Sequence, residues 1–250
     1  MSRSFHDRPH PVGPISGEAL ARLDYLLRRP LGCGVLLGPA RSGKSALLRQ
    51  FAESSFRSGA HVALVDGQGL DGRGLHWELA AQWRIAPATD GHGRRLAHLV
   101  RDFMHGAAAA GDRLATLIDH ADRLEHSGML AVARLLSEFE PRRGLTLIWT
   151  AESPLRGEVV DLLLPSTELR IDSPSPTPDE TAEFVQETWR QTADVTTGAL
   201  SDELADQLAA LSRNDLRRAE RLSRLSQLAA LAEGKPLDHE MLSAVASELA

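Results

Sequence analysis

The chain has 250 residues, 42% of them hydrophobic and 25% charged, with a formal net charge of −6. That balance excludes a disordered chain and leaves room for one large or two small domains. The negative charge argues against a dominant nucleic-acid surface, although the run "RNDLRRAERLSR" from Arg213 to Arg224 is locally basic. One cysteine, Cys33, excludes an intrachain disulfide and fits a reducing compartment. Its apolar surroundings mark it as a small buried residue rather than a reactive thiol. No apolar run approaches the ~20 residues of a membrane span, and the N-terminus lacks the apolar stretch of a secretion signal. The expectation is a cytoplasmic protein with no direct membrane insertion.

In chain order, residues 1–15 are polar and proline-rich and read as a flexible lead-in. "SGEALARLDYLL" places Leu20, Leu23, Leu26 and Leu27 at helical spacing, and Pro30 stops it. "GCGVLLG" (Gly32–Gly38) is a short apolar run between glycines and predicts a buried strand. A helix follows through "KSALLRQFAESSF", then a strand at "HVALVDG", helices at "LHWELAAQW" and "GRRLAHLVRDFMHGAAAA", and a strand at "RLATLID". "GMLAVARLLSEFE" is helical, "LTLIWTA" is a fourth strand and "TELRID" a fifth. Strands alternating with helices predict a parallel sheet covered on both faces. After the Pro/Ser-rich hinge "DSPSPTP" only helical segments remain. The first of them opens on Thr177, Pro178 and Glu180, a capping box with proline at the first helical position. The predicted division is therefore a lead-in at 1–15, an α/β core at 16–173 and an all-α subdomain at 174–250.

"GPARSGKS" matches G-x-x-x-x-G-K-S between a predicted strand and a predicted helix. Anionic oxygens have to be wrapped by backbone N–H groups, so side chains must stay clear and glycine is favoured. Gly38, Pro39, Ala40, Arg41, Ser42, Gly43, Lys44 and Ser45, with Ala46 in the first helical turn, are the predicted nucleotide-binding residues. Lys44 brings a point charge to the β- and γ-phosphates, the Ser45 hydroxyl can ligand Mg²⁺, and the helix directs its positive end at the phosphates.

A second oxygen ligand for the metal is expected at the end of a neighbouring strand. Asp119, ending "LATLID", is preferred to Asp66, ending "HVALVD", which reads as a strand-end or cap residue. The predicted metal ligands are Ser45 and Asp119. The stretch "DHADRLEH" fits no zinc-ligand spacing.

The segments "SGEALARLDYLL", "GVLLGPARSGKSALL", "LATLIDHADRL", "LTLIWTAESPL", "TPDETAEFV" and "LSRNDLRRAERL" together resemble the AAA+ ATPases of the general secretion pathway component A (ExeA) type, over almost the whole chain. ATPases that assist DNA transposition belong to the same broad group. The resemblance implies an α/β P-loop NTPase fold of the AAA+/ASCE kind: a parallel sheet sandwiched by helices, followed by an all-α C-terminal lid. It implies that the "LTLIWT" strand lies between the phosphate-loop strand and the Asp119 strand. It implies a γ-phosphate-sensing role for Thr150. Arg217 falls at the arginine position of the family's G-x-P-R-x-I pattern, here without the glycine and proline. An arginine finger from a neighbouring subunit is also implied, with Arg142 and Arg143 as local candidates.

The family carries Asp-Glu where this chain has Asp119-His120, the glutamate orienting the attacking water. A general base contributes about 10²–10⁴ in rate, and a neutral imidazole is also an acceptor. His120 and Glu152 are therefore the candidate bases. The resulting expectation is a Mg-ATP-binding AAA+ ATPase module, with ATP and Mg²⁺ as cofactors, a homo-oligomer, and output as assembly or remodelling of a protein partner of secretion or pilus type. The alternatives are a nucleotide-gated switch with little hydrolysis and a DNA-associated transposition-type ATPase. A small-molecule kinase is disfavoured, because the helical segment is C-terminal rather than inserted as a substrate lid.

Overall fold

In the computed structural model, residues 15–29, 31–85, 93–139, 144–192 and 198–248 are described. Arg142 and Arg143 lie outside them, as does almost all of the 1–15 lead-in. The chain forms two compact units. One comprises Glu18–Ala40 with Lys44–Ser173, and the other is built on Pro174–Ala250 and takes in Arg41–Gly43.

The first unit holds a five-stranded parallel sheet of β1 (Leu31–Gly38), β2 (His61–Asp66), β3 (Leu114–Asp119), β4 (Leu145–Glu152) and β5 (Leu169–Asp172). The strand order is β2-β3-β4-β1-β5, so β4 lies between β1 and β3. Parallel strands with helices on both faces must bury both sets of alternating side chains, and all six residues of β3 are buried. One face carries Cys33, Val35, Leu37, Val65, Ile118 and Trp149. It packs under α3 (Gly72–Gln82), α4 (Gly93–Ala110) and α5 (His126–Phe139) through residues such as Leu79, Met104 and Leu135. The opposite face, with Leu36, Leu117 and Ile148, packs on Leu23 and Leu26 of α1 (Ile15–Leu27) and on Leu48 and Phe51 of α2 (Lys44–Arg57). Each such fully buried side chain contributes roughly 1.5–3 kcal/mol.

Glycine at 34 is what permits the close approach of α1. A Cβ there would sit 2.6 Å from Leu26 Cδ1 and 3.2 Å from Ile148 Cδ1. Cys33 is buried, and burial pushes its thiol up to about 11 despite a contact with the Thr167 hydroxyl. That leaves it protonated and inert.

The second unit is all helical: α7 (Pro178–Thr192), α8 (Asp202–Ser212), α9 (Leu216–Glu233) and α10 (His239–Glu248), around Val185, Trp189, Leu208, Leu222 and Leu242. Its helices start on side-chain caps. The Thr177 backbone N–H donates to Glu180 Oε2 at 2.8 Å, and the Glu180 N–H donates to Thr177 Oγ1 at 3.2 Å, a reciprocal capping box. Ser201 caps α8 and Asp215 caps α9. Replacing Thr177 with alanine orphans the Glu180 N–H and is expected to lower unfolding free energy by about 1 kcal/mol. Urea denaturation followed by helical circular dichroism should show an earlier midpoint, whereas an unchanged midpoint would mean the cap contributes nothing.

Two features depart from the sequence expectation. A one-and-a-half-turn helix, α6 (Glu158–Leu162), follows β4 and is too short to show periodicity. β5 begins at Leu169 rather than Thr167, because the Thr167 backbone N–H is spent closing the preceding turn on Leu164 O at 3.0 Å; its hydroxyl donates to Leu163 O at 2.9 Å and accepts from the Trp149 indole at 3.1 Å.

Candidate nucleotide site

β1 ends at Gly38 and α2 begins at Lys44, so the predicted cradle is a strand–loop–helix turn. Within it Arg41 (φ 66°) and Gly43 (φ 88°) adopt left-handed conformations. For glycine this is free, while for Arg41 it costs on the order of 1 kcal/mol, the kind of strain found where a loop is shaped for a ligand. Gly38, Ser42 and Lys44 are buried, Pro39, Gly43, Ser45 and Ala46 half-buried, and Ala40 and Arg41 exposed. Arg41 shares a compact unit with Asp215, and its Nη1 donates to Asp215 Oδ2 at 2.8 Å.

Lys44 folds back along the loop, with Nζ donating to Gly38 O at 2.9 Å and to Pro39 O at 2.7 Å. Burial pulls its pKa below the usual lysine value, while Glu152, Asp119 and Asp122 oppose the shift by favouring the cation. The lysine thus stands within the field of three carboxylates at the strand ends.

Asp119 is buried, only 8% exposed. Its Oδ1 accepts from the Thr150 hydroxyl at 2.6 Å and from the His120 backbone N–H at 3.2 Å. The same His120 N–H reaches Thr150 Oγ1 at 2.9 Å. β4 lies beside β3, which is why a residue 31 positions away can hold this carboxylate. Asp119 Oδ2 lies 3.8 Å from His120 Nδ1. Mg²⁺ binds through one or two carboxylate or hydroxyl oxygens plus phosphates and keeps several waters. The Asp119 carboxylate and the Ser45 hydroxyl are hard oxygen donors of that kind and fit the ion. No cluster of three or more His, Cys, Asp or Glu suited to a metal occurs among the described residues.

Of the two candidate bases, His120 sits directly after Asp119 with φ 51° and ψ 45°. Its Nδ1 lies 3.0 Å from Asp66 Oδ1. Glu152 pairs with Gly38 across β4 and β1, and its Oε1 accepts from Arg123 Nη2 at 2.5 Å. Its backbone N–H donates to Asp122 Oδ2 at 3.2 Å. Sequence reasoning weighed Asp122 only as part of a metal cluster and missed Arg123 and the partnership of Asp66. The only trace of the first two is the acid–base pair in "DHADRL". Arg217 stands exposed in the first turn of α9, in the helical unit, its backbone N–H donating to the Asp215 cap at 3.0 Å. Asn214, in place of the family's glycine region, takes the left-handed φ of 57° that asparagine tolerates.

The model of one protein family, described as "AAA domain", matches residues 28–157, just over half of the chain and all of the segment that carries β1 to β4. The chain belongs to the AAA domain family. This AAA domain matches no curated protein. Among solved structures it is similar to Cdc6p from Pyrobaculum aerophilum, with a TM-score of 0.77 at 19% identity over 99% of this chain and 69% of the other. It is similar to the Aeropyrum pernix Orc1 protein, solved in complex with DNA, with a TM-score of 0.69 at 18% identity over 96% and 66% of the two chains. The Thermotoga maritima RuvB Holliday junction branch migration motor gives a TM-score of 0.62 at 15% identity over 93% and 69%. These likenesses establish the fold, a P-loop AAA+ sheet with a helical C-terminal part. The AAA fold implies nucleotide binding, usually with Mg²⁺. No helix among the described residues is long and apolar enough to cross a membrane.

Proposed function

We propose that this AAA domain is a Mg-ATP-binding ATPase module that couples its nucleotide state to assembly or remodelling of a protein partner. One observation carries the reading. The phosphate loop ends in a buried Lys44, in the electrostatic field of an Asp119 whose carboxylate is already oriented by Thr150. Bound nucleotide would take backbone N–H groups from Gly38–Ser45, the Lys44 charge and the α2 N-terminus on its phosphates. Mg²⁺ would be held by Ser45 and Asp119 and would neutralise the charge developing on the phosphates. Thr150 keeps Asp119 aimed, and His120 would take the proton of the attacking water. Arg217 is the proposed second sensor. "EALARL" upstream of the cradle and "TPDETAEF" downstream favour the secretion-pathway (ExeA) type, and a cytoplasmic setting follows from that type.

A second reading, a nucleotide-gated switch with little turnover, is favoured by histidine at position 120. A DNA-associated role draws on the Orc1 likeness and the basic α9, but Arg224 of that helix is already paired with Glu220 at 2.7 Å and the net charge is −6.

Size-exclusion chromatography with light scattering, run with and without Mg-ATP, tests the coupling. The ATPase-module reading predicts a larger particle with Mg-ATP than with ADP or no nucleotide. An identical monomer mass in all three conditions contradicts nucleotide-driven self-assembly.

A further inference from the structure

β2 and β3 are paired so that Asp66 stands opposite Asp119. Just beyond that pair the chain turns at His120 into the left-handed region. A non-glycine residue is disfavoured there, so surrounding contacts must hold it. They do: the His120 backbone N–H is bound by Thr150 and Asp119, as above. The turn carries the His120 imidazole back toward β2, where Nδ1 meets Asp66 Oδ1 at 3.0 Å. Asp66 is itself oriented, since the same oxygen accepts the Gln68 backbone N–H at 3.2 Å. Gly67, between them, donates its N–H to Asp119 O at 2.7 Å. A Cβ at Gly67 would lie 3.0 Å from that carbonyl and 3.1 Å from His120 O, so the two strand ends are held close together. A carboxylate can only accept from a ring nitrogen, so this pairing commits Nδ1 to carrying a proton. In the neutral ring Nε2 is then the acceptor.

We propose that Asp66 is a positioning residue for His120. By accepting the Nδ1–H it fixes the imidazole tautomer whose Nε2 lone pair faces away from β2 and can receive a proton. In the reaction the water oxygen forms a bond to the γ-phosphorus as its proton passes to Nε2. The bond from the γ-phosphorus to the β–γ bridging oxygen breaks, and its electron pair leaves on ADP. The Nε2 proton then returns to solvent. This role rests on the ATPase reading above. It assigns to an acid on a different strand the ordering of a base that glutamate would supply without help, since a carboxylate has no tautomer to set.

The test uses two readouts on the full chain. Ring ¹⁵N resonances of His120 in the nucleotide-free protein should report the Nδ1–H tautomer, and Asp66→Ala should convert it to the Nε2–H form or a mixture. In steady-state kinetics Asp66→Ala should lower kcat by about 10–100-fold, the scale seen when a metal-bound imidazole loses the partner that orients it, with KM for Mg-ATP unchanged. A cycle with His120→Glu separates positioning from simple structural support: the kcat loss from Asp66→Ala should vanish when position 120 is glutamate. An unaltered tautomer, a kcat equal to wild type, or an equal loss in the His120→Glu background would each overturn the proposal. Absence of turnover in the wild type would instead remove the ATPase reading and with it the catalytic half of this proposal. The ring resonances alone would then decide whether Asp66 sets the tautomer.

Discussion

Replacing His120 with alanine is expected to lower ATP turnover by about 10²–10⁴-fold, the range a positioned general base supplies, while Mg-ATP affinity is unchanged. That loss corresponds to roughly 3–5 kcal/mol of barrier. The split follows from where the residue stands. His120 hydrogen-bonds Thr150 and Asp119 through its backbone N–H, so removing the imidazole leaves Asp119 held by the Thr150 hydroxyl at 2.6 Å. Alanine also has to keep the left-handed φ of 51°; His120→Asn, which tolerates that conformation, is the control for a purely conformational effect and should be as slow as the alanine variant. His120→Glu should retain turnover. Phosphate release by the four proteins at saturating Mg-ATP decides the matter. Equal rates for wild type and alanine would remove His120 from the chemistry, and negligible release by the wild type with gain on His120→Glu would favour the switch.

Lys44→Ala is expected to weaken Mg-ATP binding by about 2–5 kcal/mol, or roughly 30- to 5,000-fold, the cost of removing one partner from a desolvated, hydrogen-bonded charge pair. Lys44 is buried and bonded to two loop carbonyls, Gly38 O and Pro39 O. Alanine therefore loses the phosphate contact and also the clamp that shapes the loop. Its absence removes one positive charge from the field of the Glu152, Asp119 and Asp122 carboxylates, leaving Arg123 on Glu152, which further disfavours a polyanionic ligand. Circular dichroism should remain that of the wild type, because the apolar clusters on both sheet faces do not include this side chain.

How far the molecule was legible in its sequence depends on how local each signal is. The cradle from Gly38 to Ser45 was readable because the constraint is contained in eight consecutive residues: close backbone approach, then a helix start. The parallel sheet was readable because strands buried on both faces leave continuous apolar runs such as "LATLID". The hold of Thr150 on Asp119 was not readable: the resemblance offered Thr150 only as a γ-phosphate sensor, and 31 residues separate the two. The Asp66–His120 contact was not readable. It depends on strand register and on a left-handed turn at a histidine, and no residue pattern announces either. Glu152 was proposed as a base from its place after β4, but nothing in its surroundings on the chain foretold that a 3₁₀ turn at Ala121–Arg123 would deliver Arg123 to its carboxylate.

The most direct test of the account is calorimetric titration of ATP into the wild-type protein, with Mg²⁺ and again with the metal chelated. The account predicts a single saturable site per chain that is markedly weaker without Mg²⁺. No saturable binding up to millimolar Mg-ATP would contradict it.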